Sequence, residues 1–129
     1  MIVDTSAVVA LFLKEPGYEE LFQALAQAER AGIGAPTLAE TGLVLANRLG
    51  RDPGPLLDRF LQQFGLVVVP FGEEHWREAA RAYLRFGKGR HPAALNFGDC
   101  LTYATAKLAE QPLLYTGEDF SRTDLKRLS

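Results

Sequence analysis

The sequence is poor in the residues that build covalent or soft-metal sites. One cysteine, Cys100, stands among 129 residues, so neither an internal disulfide nor a thiolate zinc site can form. The two histidines, His75 and His91, lie too far apart to make a helical ligand pair. Long apolar runs are missing as well: nothing approaches the ~20 residues that span a bilayer. The start Met1-Ile2-Val3-Asp4 has neither the basic region nor the apolar stretch of a signal peptide. These absences lead us to expect a reducing compartment, the cytoplasm. There is no surplus of positive charge either. A formal net charge of -2 argues against indiscriminate binding to polyanions, so any nucleic-acid contact must come from a local basic patch.

What is present suits one folded unit. Hydrophobic residues make up 47% and charged residues 23%, enough apolar surface to offset the entropy of ordering the chain. The length predicts a single domain over 1–129. Met1-Ile2-Val3 reads as a short buried strand, Asp4-Thr5-Ser6 as a polar turn, and residues 7–13 as a helix broken by Glu15-Pro16-Gly17. Residues 18–30 are amphipathic. A second strand is expected over 33–36, ended by Pro36, with Thr37 capping a helix that carries Glu40, Leu43, Val44 and Leu45.

Residues 56–64 form another amphipathic segment, and Leu66-Val67-Val68-Val69 is the clearest strand, unbroken until Pro70. A helix over 73–86 follows, with Trp76 expected in the core, and then a Gly-rich basic loop over 87–96. Asp99 can cap a helix over 99–109, and 113–115 is the last strand candidate. Strands separated by helices predict an α/β domain with a mainly parallel sheet and helices on both faces.

That geometry places the acids. Ligands of open parallel sheets bind beyond the carboxyl ends of the strands, where strand order reverses. Asp4 follows the first strand, Glu40 lies one helical turn past the second, and Glu118 or Asp119 follows the last. Asp99, at a helix start, can reach the same edge. Converging carboxylates repel one another, and a divalent cation relieves that repulsion. Oxygen donors without His or Cys suit Mg²⁺ or Mn²⁺, and phosphodiester hydrolysis is the chemistry they favour. Each acid also has a structural role open to it. Asp4 and Asp99 can be caps, Glu40 a solvated surface residue, and Asp119-Phe120 a turn with a core aromatic.

One dense basic patch exists. Arg77, Arg81 and Arg85 share a helical stripe, and Lys88, Arg90 and His91 continue it into the loop. With Tyr83 and Phe86 it could stack and steer a single-stranded nucleic acid; the alternative is a solvated face paired to Glu73, Glu74 or Glu78. RNA contact is expected of Arg85, Lys88 and Arg90. Cys100 is expected to be a small buried hydrophobe.

Met1-Ile2-Val3-Asp4-Thr5-Ser6-Ala7, the glutamate of Thr37-Leu38-Ala39-Glu40, the block from Phe86-Gly87-Lys88-Gly89-Arg90-His91 to Gly98-Asp99-Cys100, and the ending Pro112-Leu113-Leu114-Tyr115-Thr116-Gly117-Glu118-Asp119-Phe120 together resemble a PIN-domain ribonuclease of the VapC toxin type. The resemblance covers nearly the whole chain. It implies a three-layer α/β/α domain with a mainly parallel central sheet, and a Mg²⁺- or Mn²⁺-dependent endoribonuclease. It also implies a homodimer, and a VapB-like antitoxin of a type II toxin–antitoxin system whose terminal segment covers the cleft. By position, Asp4 and Asp99 would be the metal ligands and Glu40 the third acid. The fourth would be Glu118 or Asp119, with Asp119 preferred. Val9, Phe12, Leu13, Tyr18 and Phe22 would offer a groove for an antitoxin helix, unless the two helices simply bury each other.

Two other readings compete. An aspartyl-phosphate phosphatase would carry Asp-x-Asp after the first strand, and Ser6 stands where its second aspartate belongs. A non-catalytic RNA- or protein-binding module would keep the fold without the acids.

Overall fold

The computed structural model describes residues 1–126, so positions 127–129 of the expected domain lie outside the described residues. The elements run β1 (Ile2–Val3), α1 (Thr5–Leu13), α2 (Tyr18–Gln27), β2 (Ala31–Gly34), α3 (Ala35–Leu49), α4 (Gly54–Phe64), β3 (Leu66–Val69), α5 (Glu73–Phe86), α6 (Phe97–Ala109) and β4 (Leu113–Leu114). A short 3-10 turn, Phe120–Arg122, comes after β4. The four strands form one parallel sheet in the order β3-β2-β1-β4.

The period-2 alternation of a strand explains the layers. Val3 points into one core with Val8, Leu25, Ile33, Leu45 and Leu114, under α1 to α4. Its neighbour Ile2 points into the other, with Ala82, Phe86, Tyr103 and Leu113, under α5 and α6. This is the three-layer α/β/α architecture. The strands progress outward from β1 through β2 to β3, then return to the far side of β1 as β4. The reversal lies between β1 and β4, whose ends carry Asp4 and Thr116.

Several local expectations change. α1 begins at Thr5 directly after β1, because Asp4 caps it, so no separate turn intervenes. β2 ends at Gly34, and Pro36 sits in the first turn of α3, where a missing N–H breaks no helical bond. Thr37 is therefore not a cap; it is buried inside α3, and its Oγ1 lies 2.9 Å from Thr102 Oγ1 of α6. Trp76 is not core. It is 49% exposed, with its indole N–H donating to Glu73 Oε2 at 3.0 Å and the Arg77 guanidinium 4.4 Å over its ring. The indole's polar edge and face are both satisfied at the surface, so burial offers it little.

The segment after β4 is pinned to α6. The fully buried Tyr103 donates to Asp124 Oδ1 at 2.6 Å, and Lys107 Nζ donates to Asp124 Oδ2 at 2.7 Å. Tyr103→Phe should lower the unfolding free energy by about 1–2 kcal/mol, the worth of a hydrogen bond to a partly solvated carboxylate. Urea denaturation checks this; an unchanged midpoint would show the bond to be energetically idle.

Candidate active site

Asp4 is both a helix cap and a crevice residue. Its Oδ2 accepts from Ser6 N at 3.0 Å and from Ser6 Oγ at 2.6 Å, and only 6% of the residue is exposed. Ser6 Oγ in turn accepts from Thr116 N at 3.0 Å. One hydroxyl thus ties the end of β1 to the end of β4 across the strand-order reversal. Both side-chain bonds of Asp4 fall on Oδ2, so its capping role leaves Oδ1 for another partner.

Glu40 is the sixth residue of α3, which starts directly from β2. Its Oε1 accepts from Thr5 Oγ1 at 2.9 Å, and Thr41 Oγ1 lies 3.0 Å from that same hydroxyl. A row of threonines thus connects the acid to α1 and α3.

Asp99 sits at the third position of α6 and is not its cap. Asn96 holds that place: its side chain accepts from Asp99 N at 2.9 Å, and Asp99 Oδ2 accepts from Asn96 N at 3.1 Å. This reciprocal capping box aims Asp99 at the sheet edge. Burial, opposed by the Asn96 backbone bond and joined by repulsion from Asp4, Asp119 and Glu40, pushes the Asp99 carboxyl up to about 6. Asp99 therefore feels acids from three other, well-separated stretches of the chain. Asp119 is exposed and is not among the residues lining the crevice, though its charge raises the Asp99 carboxyl; Phe120 beside it is buried edge-on against Tyr115 at 5.2 Å. Glu118 is engaged differently, its Oε2 accepting from Ser121 Oγ at 3.3 Å.

The crevice between these residues has a volume of about 260 Å³ and is lined by Asp4, Glu40 and Asp99 with Thr5, Ser6, Val9, Thr116 and Glu15. Among the described residues, no cationic side chain lines it. Glu15 is an acid that the sequence marks only as part of a helix break. Thr5 and Ser6 likewise read as turn residues from sequence, although two hydroxyls directly after Asp4 are the available signal. Among the described residues, no three His, Cys, Asp or Glu side chains form a ready-made metal cage. The acids share a crevice without meeting at one point, since Ser6, Thr5 and Asn96 each hold one carboxylate oxygen. The donor set nevertheless fits a hard divalent cation, being oxygen throughout and anionic without a compensating base.

The basic residues divide. Arg77 pairs with Glu73 at 2.7 Å, and Arg81 lies 3.6 Å from Glu78, as a solvated helix face would. Arg85 lies 3.8 Å from Asp124 and 4.7 Å over the Phe86 ring. Lys88 and Arg90 stay exposed in the loop, with Arg90 5.5 Å over Tyr83. Cys100 is buried, as expected. Among the described residues no helix is long and apolar enough to cross a membrane.

A parallel α/β sheet with an acidic crevice at its strand-order reversal defines the class: an α/β domain whose open site lies at the carboxyl ends of its strands. Similarity to known proteins narrows it. The family profile described as "PIN domain" matches residues 1–126. Ribonuclease VapC36 of Mycobacterium tuberculosis is 52% identical over 127 residues, covering 98% of this chain and 91% of that protein. Two solved structures share the fold. Mycobacterium tuberculosis VapC20, titled a sarcin-ricin loop cleaving toxin, superposes with a TM-score of 0.80 at 17% identity, over 98% of this chain and 97% of that one. A toxin–antitoxin complex from Klebsiella pneumoniae gives 0.69 at 20% identity, over 95% and 92%. The chain belongs to the PIN-domain family, in its VapC ribonuclease branch.

Proposed function

We propose that the crevice is the active site of a Mg²⁺- or Mn²⁺-dependent endoribonuclease, the toxin of a type II toxin–antitoxin pair, with Asp4 and Asp99 as metal-holding residues and Glu40 and Asp119 completing the acidic set. One observation carries this reading. Asp4, Glu40 and Asp99, from separate segments, line one crevice at the strand-order reversal, and among the described residues no cationic side chain lines it. A divalent cation beside such a group relieves the repulsion between its carboxylates. Family membership supports metal dependence in general, and the all-oxygen donor set supports Mg²⁺ or Mn²⁺.

When bound, the cation supplies Lewis-acid stabilisation of phosphoryl charge and lowers the pKa of water. The chain's own residues do the rest. Ser6 and Thr5 fix the carboxylates of Asp4 and Glu40 in orientation. Asn96 and Asp99 hold each other, so the carboxylate cannot swing out with the loop. Lys88 and Arg90 attract the RNA backbone, and Tyr83 offers a ring face for an unstacked base. Arg85 contributes less, since Asp124 draws it away.

The aspartyl-phosphate alternative loses ground because Ser6, standing at the second acid's place, spends its hydroxyl on Asp4 and Thr116. The partner is a VapB-like antitoxin. Its landing site is the apolar groove of about 260 Å³ between α1, α2 and α4, formed by Phe12, Tyr18 and Phe22 with Phe60 and Phe64. Val9 belongs to the acidic crevice instead. The chain works as one domain in a homodimer, for which the exposed Leu43 and Phe97 supply apolar surface, and it acts on RNA in the cytoplasm.

Protein purified free of its partner should cleave RNA when Mg²⁺ or Mn²⁺ is present and stop in excess chelator. Asp4→Asn should cut that rate by at least about 100-fold, beyond the 10–100-fold typical of residues that only support a ligand. Wild-type cleavage by Asp4→Asn, or cleavage indifferent to chelator, would remove the assignment.

A further inference from the structure

Glycine at position 98 is unexpected on local grounds. It occupies the second position of α6, where alanine favours the helix and glycine weakens it. Its backbone does not call for glycine either, because φ lies outside the left-handed region. Space is what it provides. A Cβ built at Gly98 would collide with Glu40 Oε2 and lie 3.0 Å from both Cδ and Oε1 of the same carboxylate. On the other side, Thr5 Oγ1 donates to Glu40 Oε1 at 2.9 Å.

We propose that Gly98 is a positioning residue for Glu40: its missing side chain is one wall of a slot, Thr5 is the other, and together they lay the carboxylate against the first turn of α6 beside Asp99. The inference rests on the reading of Glu40 as an acid of the site. The carboxylate is the free end of a flexible side chain, so an alanine at position 98 moves the acid and leaves the fold intact. Glu40 comes from α3 and Asp99 from α6, and helices pack at roughly 8–10 Å between axes. Because a Cβ at position 98 overlaps the Glu40 carboxylate, a single methyl group is enough to displace that acid from its place in the crevice. Here a weaker helix start is kept, and the site is where such a local inconsistency is expected.

A double-mutant cycle over Gly98→Ala and Glu40→Ala tests this, read by RNA cleavage, by Mn²⁺ affinity without RNA, and by thermal melting. Gly98→Ala should melt no lower than the wild type, yet cleave at least about tenfold more slowly and bind Mn²⁺ more weakly, as a lost supporting contact does. In the Glu40→Ala background the same substitution should change neither rate nor affinity. Gly98→Ala with wild-type rate and Mn²⁺ affinity, while Glu40→Ala is defective, overturns the slot alone. An equal loss in both backgrounds also overturns it, because Gly98 would then act through another group. A fully active Glu40→Ala overturns the role of Glu40 itself, and the slot with it.

Discussion

Asp99→Asn is expected to give a protein that is more stable and nearly inactive. Cleavage should fall by at least about 100-fold, since the substitution removes one of the two carboxylates proposed to hold the metal. The stability gain comes from the direction of its titration. Burial and the neighbouring acids raise the Asp99 carboxyl from 3.8 to about 6 in the folded chain. Between those values the folded state keeps a proton that the unfolded state has released, so the metal-free fold loses stability as pH rises through that window. The penalty is complete above about pH 6. Asparagine never ionises, and its amide oxygen can still accept from Asn96 N. Chelated Asp99→Asn should therefore melt a few degrees above the chelated wild type at about pH 7.5 and equal to it near pH 4. Melting curves across pH decide this; a gain independent of pH would place the effect in the capping box instead. Protons should also compete with metal at Asp99, so cleavage by the wild type should decline as pH falls through about 6.

Phe22→Glu should separate the partner from the chemistry. Phe22 is 44% exposed and stands edge-on to Phe64, with ring centres 5.5 Å apart, at the mouth of the α1–α2–α4 groove. A charge there must be desolvated by any apolar helix that docks. Affinity for the antitoxin should fall by at least about 30-fold, the range of a lost aromatic anchor, while RNA cleavage by the free protein stays as it was. Calorimetric titration with the antitoxin, beside a cleavage assay, reads both. Unchanged affinity would move the antitoxin to another face, and lost cleavage would show that the groove communicates with the crevice.

The aromatic groove shows why some features are legible in sequence and others are not. Phe12, Tyr18 and Phe22 lie close along the chain, so their shared surface can be read from spacing, whereas Phe60 and Phe64 come from α4 and join them only when that helix folds back. Trp76 and Thr37 depart from expectation for a related reason. Periodicity assigns a face but not what covers it, and a cap is decided by where the preceding strand ends.

Asp4, Glu40 and Asp99 can be picked out in sequence because each stands near an element boundary that composition marks, a strand end or a helix start, although Asp99 reads there as the cap and the Asn96 capping box that holds it does not show. The parallel α/β class comes from the alternation of those elements, since helical crossovers leave little else for short apolar strands to do. Strand order, by contrast, is a long-range choice. Only the return of β4 to the far side of β1 creates the reversal at which Ser6 joins Asp4 to Thr116. The place of Glu15 in the crevice and the fit of Glu40 against Gly98 are likewise tertiary decisions, because they depend on distances between segments that no local pattern encodes.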